Sequence, residues 1–360
     1  MKIARVFRSR AALVLALLAD LLLYAAPPGP YDYTTSSLEA ALAAQALVTE
    51  DWLALDGVVG TAIGVDGAGR AVLKVYLESP GTFAFPSYLT GVEVVQEVTG
   101  PFVALPADAQ TWGESGEESG SGARRDDGRA AVDPTTSFPR PVPIGVSTGH
   151  PSVSAGTIGA RVTDGTRTFA LSNNHVFAAV NGGQEGDALL QPGAADGGRD
   201  PDDAIGTLFD FEELHLCRMA LCQPNRIDAA LALTSPEVLG NETPEGGYGA
   251  PRSSTRDAEL GLEVQKYGRT TGLTVGRVSG IHATIDVNYR TGTARFEDQI
   301  VISGNGFSAG GDSGSLVVTK GRLLADRRPV GLLFAGSPTS TLANPIDVVL
   351  DRFGVTVDGS

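Results

Sequence analysis

The chain has 360 residues, 42% of them hydrophobic and 19% charged, which is enough apolar material for a sizeable core and excludes a disordered chain. Forty-two acidic against 27 basic residues give a formal charge of −15, a field that repels phosphate backbones, so no nucleic acid is expected as a main partner. Gly 46 and Pro 21 point to turns and short strands rather than a helix bundle, and the predicted core is mainly β.

Lys2, Arg5, Arg8 and Arg10 precede an apolar stretch from Ala11 to Ala26, and Pro27 and Pro28 follow it, which is the layout of a secretory signal peptide over residues 1–30. Asp20 interrupts the stretch. A carboxylate at mid-membrane costs about 2.5 to 3.5 kcal/mol on insertion scales, which argues against a retained span. No later segment reaches the roughly 18 uninterrupted apolar residues a span needs, so no stable membrane span is expected. The expected location is secreted or periplasmic. The alternative is an amphipathic helix at the start of a cytoplasmic protein.

From Ser37 to Leu55, the residues Leu38, Ala41, Leu42, Ala46, Trp52 and Leu53 recur at helical spacing behind the cap candidates Ser36 and Ser37. Strands are predicted at 57–65 and 71–77 around the turn Asp66 to Gly69, and 92–98 with 102–105 reads as a second such pair. Residues 37–107 thus read as a small α+β domain. Residues 108–143 change character: Gly, Ser, Glu and Asp dominate, and prolines cluster at 134, 139, 141 and 143. This stretch reads as a linker, with too little apolar surface to offset an ordering entropy of about 1 to 2 kcal/mol per residue. From 144 to 356 the pattern is short β-type runs between Gly, Asp and Asn turns. A hairpin is predicted at Thr163 to Thr166, and the one helical stretch expected is 346–353. That length suits two packed barrels.

Three segments of this region carry chemistry. An apolar strand from Phe169 runs into a polar turn at His175, which holds an imidazole at a strand end. Asp228 leads into the apolar run 229–232, and Ser313 lies in the glycine-rich loop Gly310, Gly311, Asp312, Ser313, Gly314. Amide hydrolysis needs a base for a weak nucleophile, a carboxylate to fix the base's tautomer, and N–H groups facing the oxyanion. His175, Asp228 and Ser313 are the catalytic candidates, and the amides of Gly311 and Ser313 are the oxyanion-hole candidates.

On these residues the chain resembles the chymotrypsin-like (trypsin-like) serine peptidases, whose nucleophile loop reads Gly-Asp-Ser-Gly and whose triad runs in the order His, Asp, Ser. The run Gly268 to Gly276 resembles a Gly-rich turn of the bacterial streptogrisin-type group, and Val330 to Gly336 resembles the strand lining the substrate cleft. The resemblance implies a chymotrypsin-like double β-barrel preceded by the small α+β domain, which has the position of a pro-region in a zymogen. It implies Phe307 at the pocket floor, with Phe334, Ala335 and Gly336 along the pocket wall, and hence a small or apolar residue before the scissile bond. The chain departs from the pattern in lacking cysteines beside His175 and Ser313 and an Ile-Val-Gly-Gly start, of which Ile144-Gly145-Val146 is a weak echo, so the usual pairing of a new N-terminal amine with Asp312 is not implied.

Other signals have blander readings. Asp203 is the alternative acid, in a similar Asp-Ala-Ile setting. Ser147 fits Gly-x-Ser-x-Gly, but prolines at 141, 143 and 151 deny it the strand and helix of a nucleophile elbow. Cys217 and Cys222 can close a short loop by a disulfide in an oxidising compartment, free thiols being the alternative. With His215 they lack a fourth ligand, so no metal is expected. Asp196, Asp200, Asp202 and Asp203 lack the closing glutamate of a calcium loop and read as a solvated loop. No cofactor is indicated, since neither a Walker loop nor a dinucleotide fingerprint is present. The predicted function is a serine endopeptidase acting on a protein or peptide substrate. The alternatives are a pseudoenzyme that binds peptides in the cleft, and a self-processing peptidase or esterase.

Overall fold

The computed structural model describes residues 34–81, 83–104, 132–218, 221–321 and 326–359. The signal-like stretch 1–30, the last residues of the predicted α+β domain from 105 to 107, and residues 108–131 of the acidic stretch lie outside them.

The first element, α1 (Thr35–Leu53), is capped two residues before the expected position: the Thr34 hydroxyl accepts the Ser37 amide at 3.2 Å. It buries Ala41, Ala44 and Leu53 against the sheet beneath. Strands β1 (Val58–Val65) and β2 (Ala71–Leu77) form the predicted hairpin, its turn closed by the Asp66 carboxylate accepting from the amides of Ala68 and Arg70. Next come β3 (Tyr88–Leu89), β4 (Val92–Val98) and β5 (Phe102–Ala104). The expected pairing of 92–98 with 102–105 does not form. β4 pairs in parallel with β2, while β5 leaves this sheet to lie between two strands of the C-terminal region. Thr99 and Gly100 bond back to the Leu77 carbonyl, which turns the chain away before β5 begins.

Past residue 143 the first barrel comprises β6 (Ser147–Thr148), β7 (Gly156–Thr157), β8 (Ala160–Thr163), β9 (Thr168–Ser172), the single turn α2 (Asn174–Phe177), β10 (Ala188–Leu190), β11 (Ala204–Phe211) and β12 (Ala230–Thr234). The second comprises β13 (Glu263–Gly268), β14 (Gly272–Tyr289), β15 (Gly292–Ser303), β16 (Leu316–Thr319), β17 (Pro329–Gly336) and β18 (Ser340–Pro345). The helix α3 (Ile346–Phe353) matches its prediction, and it returns the chain so that β19 (Thr356–Val357) pairs with β8 of the first barrel.

The fold is mainly β, a double β-barrel preceded by an α+β unit. In the first barrel the sheet order is β10-β11-β12-β9-β8-β19. In the second, β13, β16, β17, β18, β15 and β14 form a closed ring, because β13 pairs with both β14 and β16. Closure removes the exposed edges that a flat sheet would leave. β14 is long enough to serve two sheets. Its first residues pair with β13, and farther along it pairs with β15 and, through Gly60↔Ile285 and Thr61↔Thr284, with β1. The α+β unit is therefore continuous in hydrogen bonding with the second barrel. Successive register shifts between β14 and β15, with His282 and Asp298 both at positive φ, bend the hairpin where α1 crosses it. There the Gln45 side chain donates to the His282 carbonyl, and Arg295 joins Asp286 to Glu50 of α1.

The acidic stretch gives way to packed structure before its expected end at 143. Phe138 packs against the first barrel and the Val142 amide bonds to the Val238 carbonyl, so the proline cluster belongs to the barrel's edge. Among the described residues no helix is long and apolar enough to cross a membrane.

The seam between β1 and β14 gives a direct test of this continuity. A Cβ at Gly60 would lie 2.3 Å from Ile285 Cδ1 and 2.9 Å from the Thr284 carbonyl oxygen. Gly60→Val is expected to cost about 1 to 3 kcal/mol and to accelerate amide hydrogen exchange across 58–65 more than in the first barrel, as read by mass spectrometry.

Candidate active site

Antiparallel pairing of β9 with β12 sets Ser172 opposite Ala230. The residues just beyond that rung, 173–175 on one chain and 227–229 on the other, are thereby brought together at the barrel's end. The Asn173 side-chain amide donates to the Asp228 carbonyl at 2.7 Å, and the His175 amide donates to Asp228 Oδ1 at 3.2 Å. The imidazole lies with Nδ1 2.6 Å from Asp228 Oδ2. Asp228 is fully buried and His175 is 6% exposed. An acceptor-only carboxylate beside Nδ1 selects the tautomer with the proton there, leaving the Nε2 lone pair free. Nε2 is buried and has no hydrogen-bond partner among the described residues.

Ser313 arrives from the second barrel, in the loop before β16. Its carbonyl accepts the Thr157 amide at 2.7 Å, and the Gly314 amide donates to the Leu333 carbonyl. Gly311 and Gly314 hold φ of 94° and 92°, where a side chain is strained. A Cβ on Gly314 would also lie 2.2 Å from Ser172 Oγ. The loop that bears Ser313 and the strand that precedes His175 are therefore in close contact. A Cβ on Gly156 would lie 2.5 Å from Val176 and 3.1 Å from the Ser313 carbonyl, which sets the neighbour of His175 beside the serine. The Ser313 hydroxyl donates to the Phe334 carbonyl at 3.1 Å. Among the described residues the amides of Gly311 and Ser313 donate to no backbone carbonyl, as a site for an incoming oxyanion requires.

Asp312 anchors the loop through donors from the turn around Gly268. Its carboxylate accepts from the amides of Thr270, Thr271 and Ala309 and from the Thr271 hydroxyl, and Lys266 Nζ lies 3.4 Å away. Lys266 and Asp312 are both fully buried. Burial pushes the Lys266 ammonium below the usual lysine range and Asp312 opposes that shift. Lys266 also donates to the Thr271 hydroxyl and the Gly272 carbonyl. The Gly268 to Gly276 segment, singled out in the sequence only as a glycine-rich turn, is thus the cradle of Asp312.

Asp203 is not beside His175; its carboxylate accepts the Arg199 amide in an exposed loop. Asp196 is not solvated as expected: it forms a two-pronged pair with Arg269 at 2.6 Å and accepts from the Ser147 hydroxyl. That pair fixes Arg269 against Gly311, whose Cβ would lie 2.7 Å from the guanidinium. Phe307 packs with Val278, Ile302 and Val317, in a cluster separate from the one holding Phe334 and Ala335, so the structure does not join the expected pocket floor and wall. Gly336 continues the wall strand. Cys217 and Cys222 are joined as a disulfide. Sequence reading missed Lys266, Arg269, Tyr289 and Asn344. Tyr289 donates its phenol to Asp228 Oδ2 at 2.8 Å, and Asn344 accepts the Asp228 amide at 3.0 Å.

Comparison with known proteins matches residues 253–344, from before β13 to the penultimate residue of β18, to the Nal1 C-terminal domain family. No match was found among curated proteins. Similar solved structures include a glutamic acid specific serine protease, 21% identical, covering 60% of this chain and 100% of its own at a TM-score of 0.43. Thermobifida fusca protease A is 19% identical over 61% of this chain and 100% of its own, at 0.43. The Cellulomonas bogoriensis chymotrypsin is 17% identical over 61% and 99%, at 0.40.

The buried ion pair makes a stability prediction. Lys266→Met leaves Asp312 as an uncompensated buried charge and is expected to cost about 3 to 5 kcal/mol in urea unfolding, while adding Asp312→Asn recovers part of the loss.

Proposed function

We propose that the chain is a serine endopeptidase, hydrolysing peptide bonds through an acyl-enzyme. The observation that carries this reading is the buried His175–Asp228 pair, which leaves Nε2 unpartnered among the described residues, while the loop that bears Ser313 packs against Ser172 of the preceding strand. In this mechanism the Ser313 hydroxyl exchanges the Phe334 carbonyl for His175 Nε2 by rotation about χ1. His175 takes the proton as Oγ attacks the scissile carbonyl, and the amides of Gly311 and Ser313 hold the oxyanion. The imidazolium then gives its proton to the leaving amine, and water repeats the cycle in reverse roles. Asp228 keeps the imidazole oriented and stabilises its charged form. Exchange of Asp228 for Asn offers the wrong tautomer and is expected to lower kcat about 10⁴-fold. A fluorophosphonate is expected to label Ser313 alone, with Ser313→Ala unlabelled. A folded chain whose Ser313 never labels contradicts the reading and favours a peptide-binding pseudoenzyme.

In this reading the segment 37–107 is a pro-region and the described form is latent. Support comes from β5, which pairs antiparallel with the cleft strand β17 through Ala335↔Ala104 and Gly336↔Val103, one residue from the Phe334 carbonyl that holds Ser313. Its other edge pairs with Val287 and Asn288 of β14. An extended peptide substrate needs that same edge of β17. Val103→Pro removes one ladder N–H and is expected to speed labelling at least tenfold; equal rates in the two chains contradict latency while leaving the peptidase reading intact. The disulfide and the signal-like start suit an exported enzyme with a peptide or protein substrate.

A further inference from the structure

We infer that Tyr289 is the positioning residue through which the second barrel fixes the carboxylate of Asp228, an inference that rests on the serine-peptidase reading above. Asp228 is fully buried, so its oxygens have the protein's donors and no bulk water. Oδ1 takes the His175 amide, and Oδ2 takes both His175 Nδ1 at 2.6 Å and the Tyr289 hydroxyl at 2.8 Å. The torsion of a carboxylate about its own bond is soft, with broad minima rather than staggered wells. A donor on each oxygen from His175 alone would let the acid and the imidazole drift together. The phenol supplies a reference point outside that pair.

Tyr289 is built to be immobile. It is 7% exposed, and its ring lies edge-on to the His175 imidazole at 5.9 Å and against Phe296 at 6.3 Å. It closes β14 opposite Gly292, the first residue of β15, so its Cα is held by the hairpin that also receives β1. Burial, with Asp228 as a second cause, raises its phenol well above the ordinary tyrosine range, so the group stays a donor throughout the pH range in which a histidine base operates. His175 and Asp228 both belong to the first barrel, whereas Ser313 belongs to the second. Asn344 of β18 holds the Asp228 main chain from the second barrel, and Tyr289 does the same for the side chain. The acid is thereby set in the frame of the nucleophile it serves through His175. A hydrogen bond to a buried charge is the strong kind, so its loss is expected to be visible in rate.

The test compares the rates at which a small fluorophosphonate modifies Ser313 in the full chain, in Tyr289→Phe, in Asp228→Ala and in the double variant, each well below its own unfolding temperature. Tyr289→Phe keeps the ring and its packing and is expected to react at least tenfold more slowly, while in the Asp228→Ala background the same change alters the rate less than twofold. A rate within twofold of the unmodified chain, or an equal slowing in both backgrounds, overturns the inference, because a packing role would survive removal of the carboxylate. A second readout does not depend on activity. The proton resonance of His175 Nδ1, assigned by its loss in His175→Ala, is expected to move in Tyr289→Phe, and an unmoved resonance overturns the inference. If Ser313 labels in no chain, a Val103→Pro chain included, but the resonance moves, the peptidase reading fails and the positioning of Asp228 by Tyr289 stands.

Discussion

Two buried carboxylates set the terms for the rest of this structure. An acceptor-only group removed from water must be given its donors by the protein or else lose several kcal/mol. Asp228 receives His175 and Tyr289, and Asp312 receives Lys266, Thr271 and three backbone amides. Each set of donors draws together segments far apart in sequence. Satisfying Asp228 docks β14 of the second barrel onto the histidine turn of the first, and satisfying Asp312 docks the Gly268 turn under the loop that bears Ser313. The relative position of the barrels, and hence of Ser313 and His175, follows from these polar demands as much as from the apolar clusters on either side.

The α+β unit adds a further constraint. Because β1 continues the second barrel's sheet and β5 fills the edge of β17, the unit touches both the outside of that barrel and the edge nearest Ser313. A segment placed in this way cannot leave without breaking ladder hydrogen bonds at two sites. Proteolysis within 105–131 alone would therefore leave β5 paired with β17.

Much of this was legible from the chain. The hairpins at 66–69 and 163–166, the helix 346–353 and the grouping of His175 with Asp228 follow from turn chemistry, periodicity and motif order, which are local signals. The pairing of β5 was not legible, since three residues carry no information about which of several distant edges they will join. Lys266 and Tyr289 were also silent. Each is an ordinary strand residue, and its role depends on a carboxylate 46 or 61 positions away that only the closed barrel brings near. Asp196 read as a solvated loop because its partner Arg269 lies 73 residues on, in the same turn that cradles Asp312.

His175, Asp228 and Ser313 are proposed to act as one acyl-transfer centre. The most direct measurement is to mix the Val103→Pro chain with an activated peptide ester, quench in acid within a second, and locate the added mass by peptide mapping. An acyl group is expected on Ser313 and absent after His175→Ala. Ester turnover with the acyl group on another residue, or acylation of Ser313 at an unchanged rate without His175, would contradict the proposal.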